Sequence, residues 1–393
     1  MTEPVSYRVA HLPTSVGGNA PSLSRRLNEI GLRSACYIYD VNAFGYKGTV
    51  PIWKPEDGSL TRELKRWKAI VRTALFSDVV HFNFGGGWAT PVPLARAADR
   101  GLARKAKSVL GGIYLQMLSV VELNLYRLFR RPMFVHYQGD DARQGDACLA
   151  LFTDSIAHHV EPGYYTTETD ALKRLMIKRM ERYCSVVYSV NPDLMHVLGE
   201  GARFIPYCHI SLEDWRPVGV TLEQRPLRIG HAPSHRRAKG TDIILAALQA
   251  LATEGFEFEL VLVEGLSNEA ARQKYEQVDI MIDQIHAGWY GGLAVELMAM
   301  AKPVMVYIRE DDLGFIPPEM REDLPFVRTS SASIKEDLRR LLAMPRETLA
   351  EIGRKSRGYV ETWHDPRRIA LEIKADYDNA LRRLGLGPKV GGE

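Results

Sequence analysis

The sequence has few cysteines and no paired cysteine motif. Its 393 residues contain four cysteines, Cys36, Cys148, Cys184 and Cys208, and none of them forms a C-x-x-C pair. Such scarcity and wide separation argue against a zinc knuckle and against a disulfide framework. A reducing compartment is typical of such a chain, and we expect a cytoplasmic protein.

An excess of either charge is also lacking. Lys and Arg number 51 and Asp and Glu number 48, which leaves a formal net charge of +3. This balance argues against a protein whose main task is to coat nucleic acid, because such proteins carry a strongly basic surface. We expect no nucleic-acid partner, although a local basic surface remains open.

The chain has no uncharged run long enough to be an obvious membrane span. In its most apolar region the charge-free stretch runs from Ser108 to Val121, shorter than the roughly 20 residues that cross a bilayer. The opening MTEPVSYRVAHLP has no basic segment followed by an apolar one, the pattern of a secretory signal. The sequence therefore predicts neither a transmembrane helix nor a secretory signal.

Strand and helix patterns alternate along the whole chain. Residues 7–12 read as a strand, a glycine-bearing loop and a helix to about Ile30 follow, and residues 35–39 read as a second strand. Further strand and helix candidates continue the alternation, which predicts an α/β fold with parallel sheets covered on both faces. The length favours two domains, since one domain usually has about 100–200 residues.

A polar stretch with two prolines, RPVGVTLEQRP, follows Trp215 and is predicted to link the domains. The strand and helix alternation restarts at Leu227. We predict a first doubly wound domain over residues 1–216, a second over 226–365, and a helix over 366–388 that packs back on the first. Two such domains form a central cleft at the carboxyl ends of their strands, where small ligands bind.

The most informative stretch is GHAPSHRRAKGTDIILAAL, from Gly230 to Leu248. A strand ends, a cationic loop follows, and Gly240-Thr241-Asp242 begins a helix. Free amides at a helix start, together with nearby cations, suit a phosphate or diphosphate. A solvated basic loop is the alternative and carries about equal weight. The loop cations are His235, Arg236, Arg237 and Lys239.

A second stretch, from His286 to Ile308, contains a glycine-rich loop that enters a helix carrying Glu296. A carboxylate near a helix start, beside glycines that let a ligand approach closely, suits hydrogen bonds to a ribose diol. The alternative is that Glu296 merely complements the helix dipole.

Together the two stretches resemble the C-terminal domain of the GT-B glycosyltransferases, in particular the retaining, glycosyltransferase family 4-like group. Lys239-Gly240 matches the family segment that grips the donor diphosphate. Glu296, followed by Ala299 and Lys302-Pro303, matches the second of two family glutamates, which holds the nucleotide ribose. Two departures stand out: Gly288 replaces the first glutamate, and His231 stands where the family usually has an arginine.

The first half of the chain carries weaker matches to the same family. Gly17-Gly18 resembles its glycine-rich loop beside the donor phosphates, and the segment from Phe134 to Asp141 resembles a His-Gly-acid segment in which Gln138 replaces the histidine. Gln138 and Asp140 are therefore candidates for contacting the sugar or acceptor. We interpret His136 as a buried structural histidine rather than a base.

The resemblance implies the GT-B architecture and a glycosyltransferase of the hexosyltransferase type. A nucleoside-diphosphate sugar is the implied donor, and a glycan, lipid or small molecule the implied acceptor. Retention of configuration, no metal and no bound cofactor are also implied. The alternatives are a nucleotide-sugar epimerase of the same fold and a catalytically silent nucleotide-sugar binder. The proposed catalytic residues are Lys239, Arg236, Arg237, Gln138 and Asp140. The proposed donor-binding residues are Gly17, Gly18, His231, Gly240, Thr241, Gly288, Trp289, Tyr290, Gly291, Gly292, Leu293 and Glu296.

Two further segments have competing interpretations. The adjacent His158-His159 with Glu161 suggests a metal site, but neighbouring residues rarely converge on one ion, and we predict none.

Residues 96–131 hold eight Arg or Lys against two acids around an apolar middle. In membrane-associated relatives such a surface contacts anionic lipid, which implies peripheral membrane contact here. A buried sheet-covering helix is the alternative, and the oligomeric state is not predicted.

Overall fold

The computed structural model describes residues 6–14, 16–40, 47–90 and 102–386, and from residue 109 onward in the last range the side chains as well. The basic region over residues 96–131 therefore lies partly outside the described residues. The chain divides into two compact units. The first comprises Met1–Gln144, Tyr165–His209 and Pro366–Glu393, and the second comprises Gly145–Tyr164 and Ile210–Asp365.

Each unit contains one parallel sheet, as the alternation of strand and helix patterns predicts. The first sheet has seven strands in the order β3-β2-β1-β4-β5-β6-β7, and the second has five in the order β12-β11-β10-β8-β9. The short β3 and β12 at the sheet edges were not predicted. The strands are β1 (Arg8–Leu12), β2 (Arg33–Ile38), β3 (Thr49–Pro51), β4 (Val79–Asn83), β5 (Met133–Tyr137), β6 (Val186–Ser189), β7 (Ala202–Phe204), β8 (Leu227–His231), β9 (Phe258–Leu262), β10 (Ile280–Ile282), β11 (Val304–Val306) and β12 (Val327–Arg328).

Helices connect the strands and cover the sheets. The crossovers keep neighbouring strands parallel, so the carboxyl ends of the strands meet at one edge of each sheet. The helices are α1 (Asn19–Glu29), α2 (Ser59–Phe76), α3 (Leu102–Leu128), α4 (Gly145–Leu151), α5 (Ile156–His159), α6 (Thr167–Tyr183), α7 (Arg236–Lys239), α8 (Thr241–Thr253), α9 (Asn268–Gln277), α10 (Gly292–Ala299), α11 (Pro318–Glu322), α12 (Ile334–Leu342), α13 (Arg346–Trp363) and α14 (Pro366–Arg383).

The units differ from the predicted domains at two boundaries. Gly145–Tyr164, which contains α4 and α5, groups with the second unit although the prediction placed it in the first domain. The Arg309 guanidinium explains part of this grouping, because it donates to the carbonyl oxygen of Asp154 at 2.9 Å. The predicted linker belongs to the second unit as well. Arg225 there donates to both carboxylate oxygens of the buried Asp279, at 2.8 and 3.1 Å.

The terminal helix α14 is part of the first unit. It packs against α1, and two of its aspartates accept hydrogen bonds from tyrosines of the sheet. Tyr7 donates to Asp378 at 2.8 Å and Tyr188 donates to Asp376 at 2.7 Å. The last turns of α14 therefore bond to Tyr7, immediately before β1, and to Tyr188 on β6, which holds the helix against the first sheet.

One helical stretch among the described residues, Val109–Leu128 in α3, is long and apolar enough to cross a membrane by length and composition. In this structure one side of it belongs to the core of the first unit. Leu123 and Tyr126 are buried there, and the Glu122 carboxylate accepts the backbone N–H groups of Trp88 and Ala89, each at 3.0 Å. These contacts make α3 a sheet-covering helix with one unpacked face.

Glu122 should make the stability of the first unit depend on pH. Burial raises the pKa of its carboxyl from 4.5 to about 7, against the opposing effect of the two N–H donors. Between pH 4.5 and 7 the folded chain therefore retains a proton that the unfolded chain has lost. The free energy of unfolding is expected to fall by about 3 kcal/mol as pH rises through this window.

Urea unfolding of the wild type and of Glu122→Gln at pH 4.5, 6 and 7.5 measures this effect. The neutral amide has no proton to lose. Between pH 4.5 and 7.5 the wild type should therefore lose about 3 kcal/mol of unfolding free energy relative to the variant. Parallel pH curves for the two proteins would contradict the assignment of a raised pKa to Glu122.

Candidate functional site

Lys239 lies at the carboxyl edge of the second sheet, as the sequence predicts for a diphosphate ligand. Its ammonium donates to Asp283 Oδ1 at 2.6 Å, and the backbone N–H of Gly291 donates to Asp283 Oδ2 at 2.8 Å. The Asp283 side chain is fully buried just after β10, whereas that of Lys239 keeps 14% of its surface exposed. One carboxylate thus fixes the lysine against the glycine-rich loop, and two ammonium protons remain for another acceptor.

Gly240 joins Lys239 to the start of α8 and is held close to the same loop. Its φ is +78°, and a Cβ at this position would lie 2.3 Å from Ile285 Cγ1 and 2.9 Å from His286 Nε2. Only glycine accommodates both the backbone conformation and this approach. The first N–H groups of α8 have no acceptor within the helix, which suits an anion.

His231, predicted from the sequence to bind the donor, has a structural role in which its side chain bonds to neighbouring elements. It is fully buried at the end of β8. Its Nδ1 donates to the carbonyl oxygen of Ile282 and its Nε2 accepts from Thr241 Oγ1, both at 2.9 Å. Burial lowers the pKa of the imidazole, so the neutral ring links β8, β10 and the start of α8. Both ring nitrogens are thus used within the fold, and the sequence does not reveal this.

The two predicted arginines stand on α7, a single helical turn where the sequence predicts a loop. Arg236 Nη1 donates to both oxygens of Glu264 at 2.9 Å. Arg237 Nε lies 3.4 Å from Glu161 Oε1. About half of each arginine side chain is exposed, so an anionic ligand can compete with these surface pairs.

Gly288 stands where the glycosyltransferase family that the sequence resembles has a glutamate. The position of Arg309 explains why a residue without a side chain is found there. A Cβ on Gly288, whose φ is +75°, would lie only 2.5 Å from Arg309 Nη1. The guanidinium donates to the buried Asp312 at 2.7 Å and lies 3.7 Å from the ring centroid of Phe152. Arg309 is thus held in place, and it fills the space that a side chain at position 288 would need.

The side chains of Trp289 and Tyr290, which the sequence predicts to contact the donor, point into the core of the second unit. Both side chains are buried. The Tyr290 hydroxyl lies 2.9 Å from both Tyr359 OH and His364 Nε2. Aromatic side chains beside glycines look like ligand contacts in a sequence, but here they pack the loop onto α13.

The remaining predicted donor residues lie at the start of α10. Gly291 precedes the helix and Gly292 is its first residue. Gly292, Leu293 and Glu296 are each partly exposed, while Val295 and Leu297 on the opposite side are buried. Glu296 therefore stands on the accessible side of the helix, as a ribose ligand must.

In the first unit, Gly17 and Gly18 form a tight turn immediately before α1. Both have a positive φ, of 60° and 74°. The turn places Asn19 at the start of α1, where its amide donates to Gln138 Oε1 at 2.8 Å and its Oδ1 accepts the N–H of Cys208 at 3.0 Å. Asn19 was not predicted, because its role depends on residues more than 100 positions away.

Gln138 is the best placed of the predicted sugar or acceptor contacts. Its backbone oxygen accepts from Asn191 Nδ2 at 2.7 Å. Its side-chain Nε2 is buried, and none of the described residues accepts a hydrogen bond from it. An unpartnered buried donor next to the glycine turn is the arrangement expected where a polar ligand supplies the missing acceptor.

Asp140 is already engaged by neighbouring side chains. Its Oδ1 accepts from Tyr165 OH at 2.7 Å and from Arg143 Nη1 at 3.1 Å. The same arginine donates through Nε to the buried Asp193 at 2.9 Å. Asp140 therefore belongs to a charge network that shapes the turn after β5.

Asp141 is a titratable group that the sequence reasoning missed. Burial raises the pKa of its carboxyl to about 7, although it accepts the backbone N–H groups of Gln138 and Gly139. A carboxyl that titrates near neutral pH beside Gln138 is able to accept or release a proton. Two consecutive aspartates after a strand were the available signal.

Three histidines line up across neighbouring strands of the first sheet. His11, His81 and His136 are buried on β1, β4 and β5, with His81 Nε2 and His136 Nδ1 2.6 Å apart. Burial lowers the pKa of all three rings, that of His136 to about 3. The structural interpretation of His136 fits this environment, because a buried neutral ring is a poor base at pH 7.

His159 contacts Asp154 and His286, and the second of these is distant in the sequence. Its Nε2 lies 2.6 Å from Asp154 Oδ1, and its ring stacks on that of His286 with centroids 3.5 Å apart. By contrast, His158 Nδ1 contacts Ser155 Oγ at 2.9 Å, and Glu161 lies near Arg237. His158, His159 and Glu161 thus contact three different partners, although they are close together in the sequence.

Comparisons with known proteins identify the fold. No protein-family model matches the sequence, and no curated protein matches it. The structure is similar to sucrose-phosphate synthase from Thermosynechococcus elongatus, with 14% sequence identity and a TM-score of 0.59 over 96% of this chain and 99% of that chain. It is also similar to the catalytic domain of starch synthase IV from Arabidopsis thaliana, bound to ADP and acarbose, with 10% identity and a TM-score of 0.55 over 96% and 100%.

A glycosyltransferase from Rickettsia africae gives a third match, with 13% identity and a TM-score of 0.54 over 96% of this chain and 99% of that chain. Near-complete coverage of both chains means that the similarity includes both units. At these identities the similarity concerns architecture and not reaction. Two parallel α/β sheets and these neighbours confirm the predicted fold class: the chain has the GT-B fold of the glycosyltransferases.

Proposed function

We propose that this protein is a glycosyltransferase that transfers a sugar from a nucleoside-diphosphate sugar to a hydroxyl acceptor. The observation that carries the proposal is the position of Lys239, which is fixed by a buried carboxylate beside the glycine-rich loop and immediately before the start of α8. This arrangement combines a cation, free helix N–H groups and a glycine-rich loop that lets a ligand come close to the backbone. The three features together suit a diphosphate.

In the proposed reaction the leaving diphosphate gains negative charge as the glycosidic bond breaks. Lys239 and the first N–H groups of α8 stabilise this charge, and Arg236 or Arg237 adds a second cation by leaving its surface carboxylate. Stabilisation of a developing charge by fixed donors is the largest single effect in many enzymes. Glu296 holds the ribose, and the loop over residues 288–292 lies against the sugar.

The acceptor is assigned to the first unit, where Gln138 and Asp140 follow β5. The unpartnered Gln138 Nε2 supports a polar ligand at this position. The resemblance to retaining enzymes makes retention of configuration part of the proposal, with the departing phosphate oxygen receiving the acceptor proton. Asp141, whose carboxyl has a pKa of about 7, is the alternative proton acceptor in this unit.

A thermal-shift panel of nucleoside diphosphates tests the donor site. A ligand that binds only the folded state at 100 times its Kd stabilises the protein by about 2.7 kcal/mol, so the nucleoside diphosphate with the correct base should raise the Tm clearly.

Incubation with nucleotide sugars of that base, with and without a cell extract as the source of acceptor, then distinguishes the three candidate functions. Turnover that needs the extract supports the transferase, isomerisation without it supports an epimerase, and binding without turnover supports a silent binder. No Tm shift with any nucleotide would contradict the donor site.

We also propose that the first unit contacts an anionic membrane through α2 and α3. Their outward faces carry large exposed apolar side chains, and a hydrogen bond of 2.8 Å from Trp67 Nε1 to Tyr114 OH joins the two helices. Helix α2 has five Arg or Lys against one acid. An apolar surface beside cations suits the interface of an anionic bilayer. The exposed apolar residues are Leu60, Leu64, Val71 and Leu75 on α2, and Leu110, Ile113, Met117 and Val121 on α3.

Co-sedimentation with vesicles measures this contact. The wild type should bind vesicles containing phosphatidylglycerol at least tenfold more strongly than neutral ones, and less strongly at high salt. Leu64→Glu and Met117→Glu, at positions 63% and 65% exposed, should abolish binding. Leu175→Glu, on the exposed side of α6, is the matched control and should not. If the wild type instead dimerises through this face, analytical ultracentrifugation will show it and the membrane assignment fails.

A further inference from the structure

Asp154, His159 and His286 form a compact cluster in the second unit that the proposed transfer reaction does not use. Asp154 Oδ1 lies 2.6 Å from His159 Nε2 and 3.4 Å from His286 Nδ1. One potential ligand atom from each of the three residues lies within 4.8 Å of the other two. Asp154 and His286 are 132 positions apart in the sequence, so only the fold brings these groups together.

We propose that these three residues bind one divalent transition-metal ion, with Zn²⁺ the best match. Two imidazoles and one carboxylate are a ligand set that zinc and its neighbours in the first transition row prefer, whereas Mg²⁺ and Ca²⁺ prefer oxygen ligands alone. Three protein ligands leave at least one coordination position for water or an anion. The proposal does not depend on the glycosyltransferase assignment.

Coordination requires a small rearrangement of the two rings. Their planes are nearly parallel, at 15°, so their nitrogen lone pairs do not yet point at a common position. A metal bound to all three groups would bring the ligand atoms to about 3.4 Å from one another, given metal–ligand distances of about 2.1 Å. His159 is the ring able to turn, because 30% of its side chain is exposed while His286 is almost fully buried.

The surroundings fix the carboxylate that would anchor the ion. Ser331 Oγ donates to Asp154 Oδ2 at 2.7 Å, and Arg309 Nη2 donates to the Asp154 backbone oxygen at 2.9 Å. Such outer contacts orient the ligands and typically change metal affinity by about 10- to 100-fold when they are removed. His286 Nδ1 faces Asp154, while its Nε2 lies on the side of Gly240. The proposed metal is therefore near the start of α8.

Isothermal titration of the EDTA-treated full-length protein with Zn²⁺ tests the proposal, with elemental analysis after gel filtration as the stoichiometric check. We expect one Zn²⁺ per chain. His159→Ala and Asp154→Asn should weaken binding at least tenfold. His158→Ala is the matched control, since it removes the adjacent exposed histidine, and it should leave binding unchanged.

Circular dichroism of each variant separates loss of a ligand from loss of the fold, and His159→Ala, at the more exposed position, is the variant that decides. Absence of stoichiometric Zn²⁺ uptake by the wild type overturns the proposal. So does equal weakening by His158→Ala and His159→Ala, which would place the ion elsewhere. Because the readout is metal binding, a failure here is distinct from a failure of the nucleotide panel.

Discussion

Replacement of Lys239 by alanine is expected to lower kcat/KM for the nucleotide-sugar donor by about 10²- to 10³-fold, the usual cost of removing one charge-stabilising donor. The variant should also be less stable. Asp283 is fully buried, and loss of its partner leaves an uncompensated charge, which costs about 3–5 kcal/mol. Steady-state kinetics and urea unfolding measure the two effects separately.

A double variant distinguishes these effects. Lys239→Ala combined with Asp283→Asn removes the buried charge yet keeps an oxygen that accepts the Gly291 N–H. We expect stability to return toward the wild-type value while turnover stays low. Lys274→Ala, an exposed lysine on α9, is the control and should change unfolding by less than about 0.5 kcal/mol. Full activity in the double variant would show that Lys239 serves only the fold.

Gly240→Ala is expected to destabilise the protein by about 2–5 kcal/mol and to weaken nucleotide binding. A φ of +78° is unfavourable for alanine by about 1–2 kcal/mol. The new methyl group would also overlap Ile285, which is fully buried, and overpacking adds about 1–3 kcal/mol. Urea unfolding gives the stability, and titration with the nucleotide found in the thermal-shift panel gives the affinity.

Gly255→Ala provides a matched comparison. Gly255 has a similar φ of +92°, but no atom lies within 4 Å of the position that its Cβ would take. This variant should therefore show only the conformational cost and should bind nucleotide normally. If the two variants lose the same free energy of unfolding, the close approach of Gly240 to the loop after β10 does not contribute to the stability of the protein.

Much of the second unit was predictable from sequence because its signals are local. The strand at 227–231, the helix from Thr241 and the helix carrying Glu296 each follow from the spacing of apolar residues and from glycines at the turns. The edge strands β3 and β12 were missed, since two or three residues carry too little periodicity to distinguish a strand from a loop.

Local sequence patterns did not predict the direction in which the loop side chains point. Trp289 and Tyr290 follow a glycine, as residues that contact a ligand often do, yet both pack into the core. His231 occupies the expected position at the end of β8, but Ile282 and Thr241 already use both of its nitrogens. Which face of a loop is buried depends on elements that are distant in the sequence.

The sequence by itself determined the α/β class and the cationic turn before α8, because periodicity and glycine placement are properties of neighbouring residues. Its resemblance to a known family, carried by the order of the motifs, implied the GT-B architecture. Only the tertiary structure decided that Asp283 holds Lys239, that Arg309 fills the space beside Gly288, and that Asp154 meets His159 and His286. Lys239, Asp283 and Arg309 lie on connections that follow the carboxyl ends of β8, β10 and β11, and parallel strands bring such connections together only when the sheet has formed. Asp154 and His159 belong to the segment Gly145–Tyr164, which reaches His286 only in the folded second unit.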